Sequence, residues 1–260
     1  MVKFQKNVLL APYTTFRIGG PAKYFFAAKT TDDLIQAAEF AKNKSIAFFI
    51  LGGGSNLLVS DRGFDGLVIA ARNNGCKARG AKIIAEAGMK LSDLVKFSIK
   101  SGLSGLEWAV GIPGTVGGAV KVNAHAFGSN FYDLTRNIRK EDEIILSAEL
   151  ELTKGDKQKS KTLLKEYIKK RNNAQPLEYP SAGCIFRNPA GRFAGQMIDQ
   201  CGLKGRKNGG AEVSEKHANF IINSGNASAK DVVGLIDLIK STIKDQFGVE
   251  LEEEIEYVGF

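Results

Sequence analysis

The chain has little cysteine. Only Cys76, Cys184 and Cys201 occur in 260 residues. Their number is odd and their spacing matches no metal site, so no disulfide framework and no metal are expected. They read as reduced thiols, which points to the cytoplasm. Long apolar runs are missing too. The longest, Ile46 to Leu51, stops at three glycines, whereas a membrane span needs about 18 residues or more. Membrane insertion is therefore not expected. The first six residues, Met1-Val-Lys-Phe-Gln-Lys6, place no apolar segment behind their lysines, so no signal peptide is expected. There is no internal repeat, no low-complexity linker and no aromatic-basic motif. The lysines read as scattered rather than striped. A net charge of +8 then fits a basic enzyme that handles polyanionic small molecules better than a nucleic-acid binder.

What is present is ordinary in bulk, with 43% apolar and 25% charged residues, and long enough for a real core. Strand-like runs alternate with capped helices, which predicts an α+β protein. Thr30-Thr-Asp-Asp33 reads as a capping box opening a helix with Leu34, Ile35, Ala38 and Ala41 on one face. A short buried strand follows at Ala47 to Leu51. Leu67 to Ala70 and Lys82 to Ala85 read as strands, and Ser92 to Lys100 as a helix ended by Gly102. Ile144 to Leu152 alternates apolar and polar, the pattern of a half-buried strand. The lysine-rich stretch Thr153 to Lys161 predicts a domain boundary, with a helix from Lys161 to Arg171 behind it. Ser228 to Asp231 predicts the cap of a long amphipathic helix, through Val232, Ile236, Ile239 and Ile243 to Phe247, closed by Gly248.

Three loops carry the chemistry. Gly52-Gly-Gly-Ser-Asn56 follows a strand, where successive backbone N–H groups can form an anion-binding nest. It lacks the Rossmann spacing, and an ordinary tight turn fits equally. Gly105 to Ala119 holds five glycines and a proline, bare backbone against which a planar or phosphorylated ligand can lie; Trp108 within it reads as core. Pro180-Ser-Ala-Gly-Cys-Ile-Phe-Arg-Asn-Pro189 is a rigid polar turn that sets one thiol, Cys184, near one guanidinium and one amide.

These loops, together with Thr15-Phe-Arg-Ile-Gly-Gly-Pro-Ala22, Gly111-Ile-Pro-Gly-Thr-Val-Gly-Gly118 and Asn208-Gly-Gly-Ala-Glu-Val-Ser-Glu-Lys-His-Ala-Asn219, resemble in order the motifs of the UDP-N-acetylenolpyruvoylglucosamine reductase family. The resemblance runs from about Thr14 to Gly259. It implies the FAD-binding fold shared with vanillyl-alcohol oxidase, in two lobes (about 1–70 and 71–153), plus a small α+β substrate domain (154–260) whose final strand returns to the active site. It implies non-covalent FAD held by Gly52, Gly53, Gly54, Ser55, Asn56 and Leu57 and by Ile112, Pro113, Gly114, Thr115, Gly117 and Gly118, with Asn123 near the flavin ring. NADPH would be the co-substrate. The implied reaction reduces the enolpyruvyl group of UDP-N-acetylglucosamine enolpyruvate to UDP-N-acetylmuramate, for peptidoglycan precursors. The partner is thus a small sugar nucleotide, and the protein a monomer.

The same resemblance assigns roles. Cys184 stands where the family has a serine proton donor; a free thiol, with a pKa near about 8.5, is a competent acid, though oxidisable. Glu254 falls at the family's catalytic glutamate, but strand alternation would also put Glu252 and Glu256 on its face, and Glu252, Glu253 and Glu256 read as solvated charges. A substrate-carboxylate arginine is expected at Arg136, with Arg139 as the rival. Here the family's tyrosine and serine are absent, and the connection from Gly128 to Ile144 is short. Arg171, Asn188 and His217 match positions that contact the UDP-sugar, with a surface histidine the bland alternative for His217. The chain lacks the tyrosine-bearing insertion of one subtype. A flavin oxidase of the same fold, or a silent FAD- or UDP-sugar-binding protein, are the competing readings.

Overall fold

The computed structural model describes residues 3–260; Met1 and Val2, the start of the stretch read for a leader, lie outside the described residues. The helices are α1 (Thr31–Asn43), α2 (Leu91–Lys100), α3 (Val116–Lys121), α4 (Phe131–Leu134), α5 (Lys157–Ala174), α6 (Ala194–Gln200) and α7 (Ala229–Phe247). Contacts divide the chain into two compact units. The first takes the residues up to Lys6, Tyr24–Gly53 and Gly66–Asn173; the second takes Asn7–Lys23, Gly54–Asp65 and Ala174–Phe260.

In the first unit, α1 forms where the capping box predicts it. The Thr30 hydroxyl accepts from Asp33 N–H at 3.1 Å, and the Asp33 carboxylate accepts from Thr30 N–H at 2.9 Å. The box satisfies two of the helix's orphan donors. Leu34, Ala37, Ala38 and Ala41 then bury against a parallel strand pair, in which Phe48 lies opposite Leu67 and Leu51 opposite Ala70. A second, antiparallel sheet runs Thr135–Glu141, Ile144–Glu151, Lys82–Glu86, Cys76–Arg79. Ile144, Leu146, Ala148, Leu150 and Leu152 are buried, as the alternation predicts. Leu150 pairs with Ile83 and Ala148 with Ala85 under α2 and α3. Each such large side chain contributes roughly 1.5–3 kcal/mol by leaving water.

The lysine-rich stretch is not a free linker. Thr153–Lys154 pairs with Leu103–Ser104, and the Asp156 carboxylate accepts from Gln158 and Lys159 N–H, both at 2.8 Å. Asp156 therefore caps α5 and starts it four residues before the expected Lys161. The earlier start also corrects the charge pattern. Lys157, Lys161, Lys165 and Lys169 follow one another at helical spacing, so these lysines form a row and are not scattered.

In the second unit, an antiparallel sheet runs Ser181–Cys184, Phe220–Asn223, Ala211–Val213, Lys207–Asn208. α7 lies on it through Val232, Leu235, Ile236, Ile239 and Ile243. Its start is the predicted Ser228/Asp231 capping box, and Gly248 closes it at φ +66°. The Asp61 carboxylate adds two more acceptors at the same end, for Ala229 N–H (2.8 Å) and Lys230 N–H (3.2 Å). The last residues do not form one alternating strand from 252 to 256. Regular pairing begins only at Glu256–Val258, parallel to Leu57–Val59, because Leu251 and Ile255 are both buried and bend the segment into the core.

Candidate functional site

In the second unit, three of the expected residues are tied together by backbone. The N–H of Glu254 donates to the carbonyl of Ile185 at 2.7 Å, and Arg187 N–H donates to Glu252 at 2.9 Å. These bonds flank an antiparallel bridge between Phe186 and Glu253. Cys184, which ends its strand opposite Phe220, is thus next to the pairing that holds Glu254. Asn56 completes the set. Its side-chain amide donates to the Glu254 carbonyl at 3.0 Å, and its own carbonyl accepts from Glu256 N–H at 2.9 Å. Cys184 and Glu254 are both half-buried.

Glu253 is not the solvated charge the sequence suggested. Its carboxylate takes Lys240 at 2.7 Å, and burial together with a hydrogen bond to Glu253 pushes the Tyr257 phenol well above its usual range. Glu252 is exposed. The glutamates therefore separate by what they touch, not by strand face.

Asn219 is what the sequence reading missed. It is buried, and its amide brackets one residue of the Cys184 loop: Phe186 N–H donates to Asn219 Oδ1 at 3.0 Å, and Asn219 Nδ2 donates to the Phe186 carbonyl at 2.8 Å. Ile185 N–H donates to the Asn219 carbonyl at 2.8 Å. Asn219 ends the motif that contains His217, and a buried asparagine with both side-chain ends used is a positioning device. His217 is not on the surface. It is half-buried, its ring meets Phe220 at 4.8 Å, and its Nδ1 has no hydrogen-bond partner among the described residues. Burial holds its pKa below the ordinary value, and nearby Lys204 adds to this. Asn188 is exposed and accepts from Ala194 N–H at 3.0 Å, holding the start of α6. Gly54 and Ser55 open this unit's second segment. Gly54, at φ +65°, accepts at its carbonyl from Thr15 N–H at 3.1 Å, and Leu57 is buried in the short strand beside Tyr257's.

In the first unit, the glycine-rich loops meet. A Cβ on Gly53 would stand 2.5 Å from Gly114 Cα, and one on Gly52 would stand 2.6 Å from Thr115 Oγ1. Only bare backbone permits this approach. The loop from Ile112 and Pro113 to Gly118 is templated by residues 87–91: Gly117 N–H donates to Ala87, Val116 N–H to Met89, and Leu91 N–H to Gly114. The template is itself pinned by Asn73, which is fully buried and accepts from Gly88 N–H at 3.1 Å. Gly118 differs from its neighbours. A Cβ there would meet only Thr115 Oγ1, at 3.7 Å, so its backbone borders open space. A planar, phosphorylated cofactor fits such a cradle. Asn123, in the left-handed region at φ +46°, accepts at its side chain from Tyr132 N–H at 2.9 Å. Trp108 is buried core, as expected.

Both candidate arginines lie in the strand Thr135–Glu141. Arg136 falls at a break in register and pairs with Glu151 at 2.7 Å, with both side chains near half exposed. Arg139 sits opposite Ser147. Arg171 is buried near the end of α5, its guanidinium 5.8 Å from the Phe127 ring, which in turn stacks on Tyr167 at 4.6 Å. Gly111 packs on its stem, where a Cβ would stand 3.1 Å from Arg171 Cδ. Among the described residues no cluster of His, Cys, Asp and Glu is placed to hold a metal.

Comparison with known proteins agrees with both halves. Residues 22–152 match the family model for an FAD binding domain, and residues 175–258 match that for the UDP-N-acetylenolpyruvoylglucosamine reductase C-terminal domain. The reductase of that name from Caldanaerobacter subterraneus is 40% identical over 99% of this chain and 94% of its own. That from Chlamydia muridarum is 42% identical over 98% and 95%. The crystal structure of the reductase from Thermus caldophilus superposes with a TM-score of 0.85 at 33% identity, covering 99% of this chain and all of the other. The α+β fold expected from the sequence is therefore the fold of that enzyme, and the chain belongs to the UDP-N-acetylenolpyruvoylglucosamine reductase family.

Proposed function

We propose that the chain performs the reaction its family is named for: it consumes NADPH and a proton and converts the enolpyruvyl group of UDP-N-acetylglucosamine enolpyruvate to the lactyl group of UDP-N-acetylmuramate. The full-length likeness to reductases at about the same length carries this reading. Non-covalently bound FAD would pass hydride from NADPH to the vinyl CH2.

The chain's own residues do the rest. The glycine loops 52–57 and 112–118 hold the cofactor by backbone, with Asn123 near its ring. Hydride addition leaves carbanion character beside a carboxylate, which must be stabilised and protonated. Cys184 gives that proton from its thiol to the α carbon and is reprotonated from water. Glu254, fixed by Ile185 and Asn56, orients the charge. Arg136 binds the substrate carboxylate, exchanging its exposed pairing with Glu151. Arg171, Asn188 and His217 take the UDP-sugar; a guanidinium suits a diphosphate. Arg136 apart, residues 1–153 serve the cofactor and 154–260 the substrate, a division that the spans of the two family models support. We infer a monomer in the cytoplasm, in keeping with three cysteines outside any disulfide and no helix among the described residues long and apolar enough to cross a membrane.

The test is NADPH oxidation by the purified yellow protein. It should depend on the enolpyruvyl sugar nucleotide and yield UDP-N-acetylmuramate. Oxidation supported equally by oxygen alone would favour the oxidase reading, and a flavin-bearing protein with no turnover would favour the silent binder.

A further inference from the structure

Helix α5 carries most of the molecule's excess charge. Lys157, Lys159, Lys161, Lys165, Lys169, Lys170 and Arg171 stand against one acid, Glu166, so seven cations less one carboxylate give +6 of the chain's +8. Arg171 is buried and belongs to the site already described; the six lysines are exposed. Lys157, Lys161, Lys165 and Lys169 repeat every fourth residue. Each stands about 6 Å further along the axis, a row of roughly 18 Å on one rigid element. Glu166 stands three residues before Lys169 and four before Lys170, beside the C-terminal end of the row, and leaves Lys157, Lys161 and Lys165 without an acidic neighbour on the helix.

The row does not help the fold. Some lysines elsewhere pair with carboxylates: Lys42 with Asp142, Lys82 with Glu149, Lys204 with Asp199, Lys240 with Glu253, Lys244 with Glu250. None of the six on α5 forms an ion pair with a described residue, and Lys170 has only the Tyr167 ring, at 5.7 Å. Like charges four apart on a helix repel. Leu164 and Tyr167 of α5 pack into the core. A self-repelling, unpaired row on the outer side is explained by an anionic surface outside the molecule.

We propose that the outer face of α5 docks the protein electrostatically on an anionic lipid membrane surface, without insertion. The chemistry of the row favours lipid over the other polyanions. All its exposed cations are lysines, point charges on flexible stems, whereas base and phosphate reading favours the fixed arginine fork. No exposed aromatic stands among them to stack on bases; Tyr167 is half-buried against Phe127. Ile168, 41% exposed, lies in the same stretch and offers an apolar contact at the headgroup boundary. A straight helix also suits a flat surface. Peripheral docking of this kind would hold an enzyme that works on soluble nucleotides near a surface without anchoring it, and salt would release it.

The test uses flavin-loaded protein and sedimentation with phosphatidylcholine vesicles, with and without phosphatidylglycerol, at near-physiological salt. The wild type should bind only the vesicles containing phosphatidylglycerol. A variant with Lys157→Gln, Lys161→Gln, Lys165→Gln and Lys169→Gln should lose on the order of a thousandfold in affinity. It should keep its flavin and its melting temperature, since glutamine is a comparable helix former. A control with Lys6→Gln, Lys77→Gln, Lys100→Gln and Lys140→Gln has the same net charge and should bind nearly as the wild type. Equal losses in the two variants would show diffuse attraction to a basic protein and overturn the proposal. So would wild-type protein that ignores both kinds of vesicle, or that binds a fluorescent single-stranded oligonucleotide through the row in their place.

Discussion

Glu254 and Ile185 share a 2.7 Å backbone hydrogen bond, so the chain's last acidic segment is paired with the loop that presents Cys184. Glu254 and Ile185, 69 positions apart, become neighbours, and the amide of Asn219 fixes the same loop from its other edge. Asn219→Ala leaves the N–H and carbonyl of Phe186 buried without partners, a loss of about 1–3 kcal/mol for each unsatisfied group. Melting should fall by several degrees, and turnover should fall further than the fraction of folded protein explains. Asn219→Ala with wild-type melting and turnover would show that the clamp does not position the loop.

The glycine loops separate a structural requirement from a ligand requirement. Gly53→Ala collides with Gly114, so a colourless protein there reports parted loops. Gly118→Ala finds only an ordinary contact at 3.7 Å and sits inside α3. There alanine should raise the stability of the flavin-free protein by about 0.5–1 kcal/mol, the helix preference over glycine, while weakening FAD binding. Titration of flavin-free protein with FAD checks this; unchanged affinity removes Gly118 from the cofactor site.

Arg136→Ala should slow reduction of the enolpyruvyl substrate and leave the NADPH half-reaction untouched. Its ion pair with Glu151 is near half exposed, so stability should change little. Stopped-flow measurement of the two half-reactions decides it. The same pattern in Arg139→Ala, with Arg136→Ala normal, would move the role to Arg139.

His217 gives a pH signature. Burial lowers its folded pKa below the ordinary 6.5 of histidine, so below that pH the unfolded chain binds the extra proton first. Stability should therefore decline as pH falls from about 6.5 toward the lowered folded value. Asp231, also lowered, contributes a loss only at more acid pH, below the ordinary 3.8 of aspartate. His217→Gln should flatten the melting temperature between pH 6.5 and about 5; an unaltered slope would place the titration elsewhere.

Local signals told the sequence most where they were self-contained. Thr30 and Asp33, Ser228 and Asp231, and the alternation from Ile144 to Leu152 rest on neighbours in the chain, and each element stands where it was expected. The start of α5 was misplaced because Lys157 to Lys161 looked like a solvated linker, while Asp156, the actual cap, lay inside the same polar stretch. The ordered motifs were enough to identify the family and its cofactor. The pairing of Glu254 with Ile185, the bracket by Asn219 and the meeting of Gly53 with Gly114 were not legible, because each joins segments far apart in the chain and none has a spacing that announces it.

The most direct test of the account concerns Cys184. Burial raises the thiol of Cys76 to about 11 and that of Cys201 as well, so neither offers much thiolate at neutral pH. Single-turnover reduction of the enolpyruvyl substrate should be compared in wild type, Cys184→Ser and Cys184→Ala after each is reduced with NADPH. The serine variant should keep substantial turnover, since the hydroxyl replaces the thiol as proton donor. The alanine variant should lose about a hundredfold or more, the scale of general acid catalysis, with the NADPH half-reaction normal in both. Undiminished substrate reduction in Cys184→Ala would contradict the account.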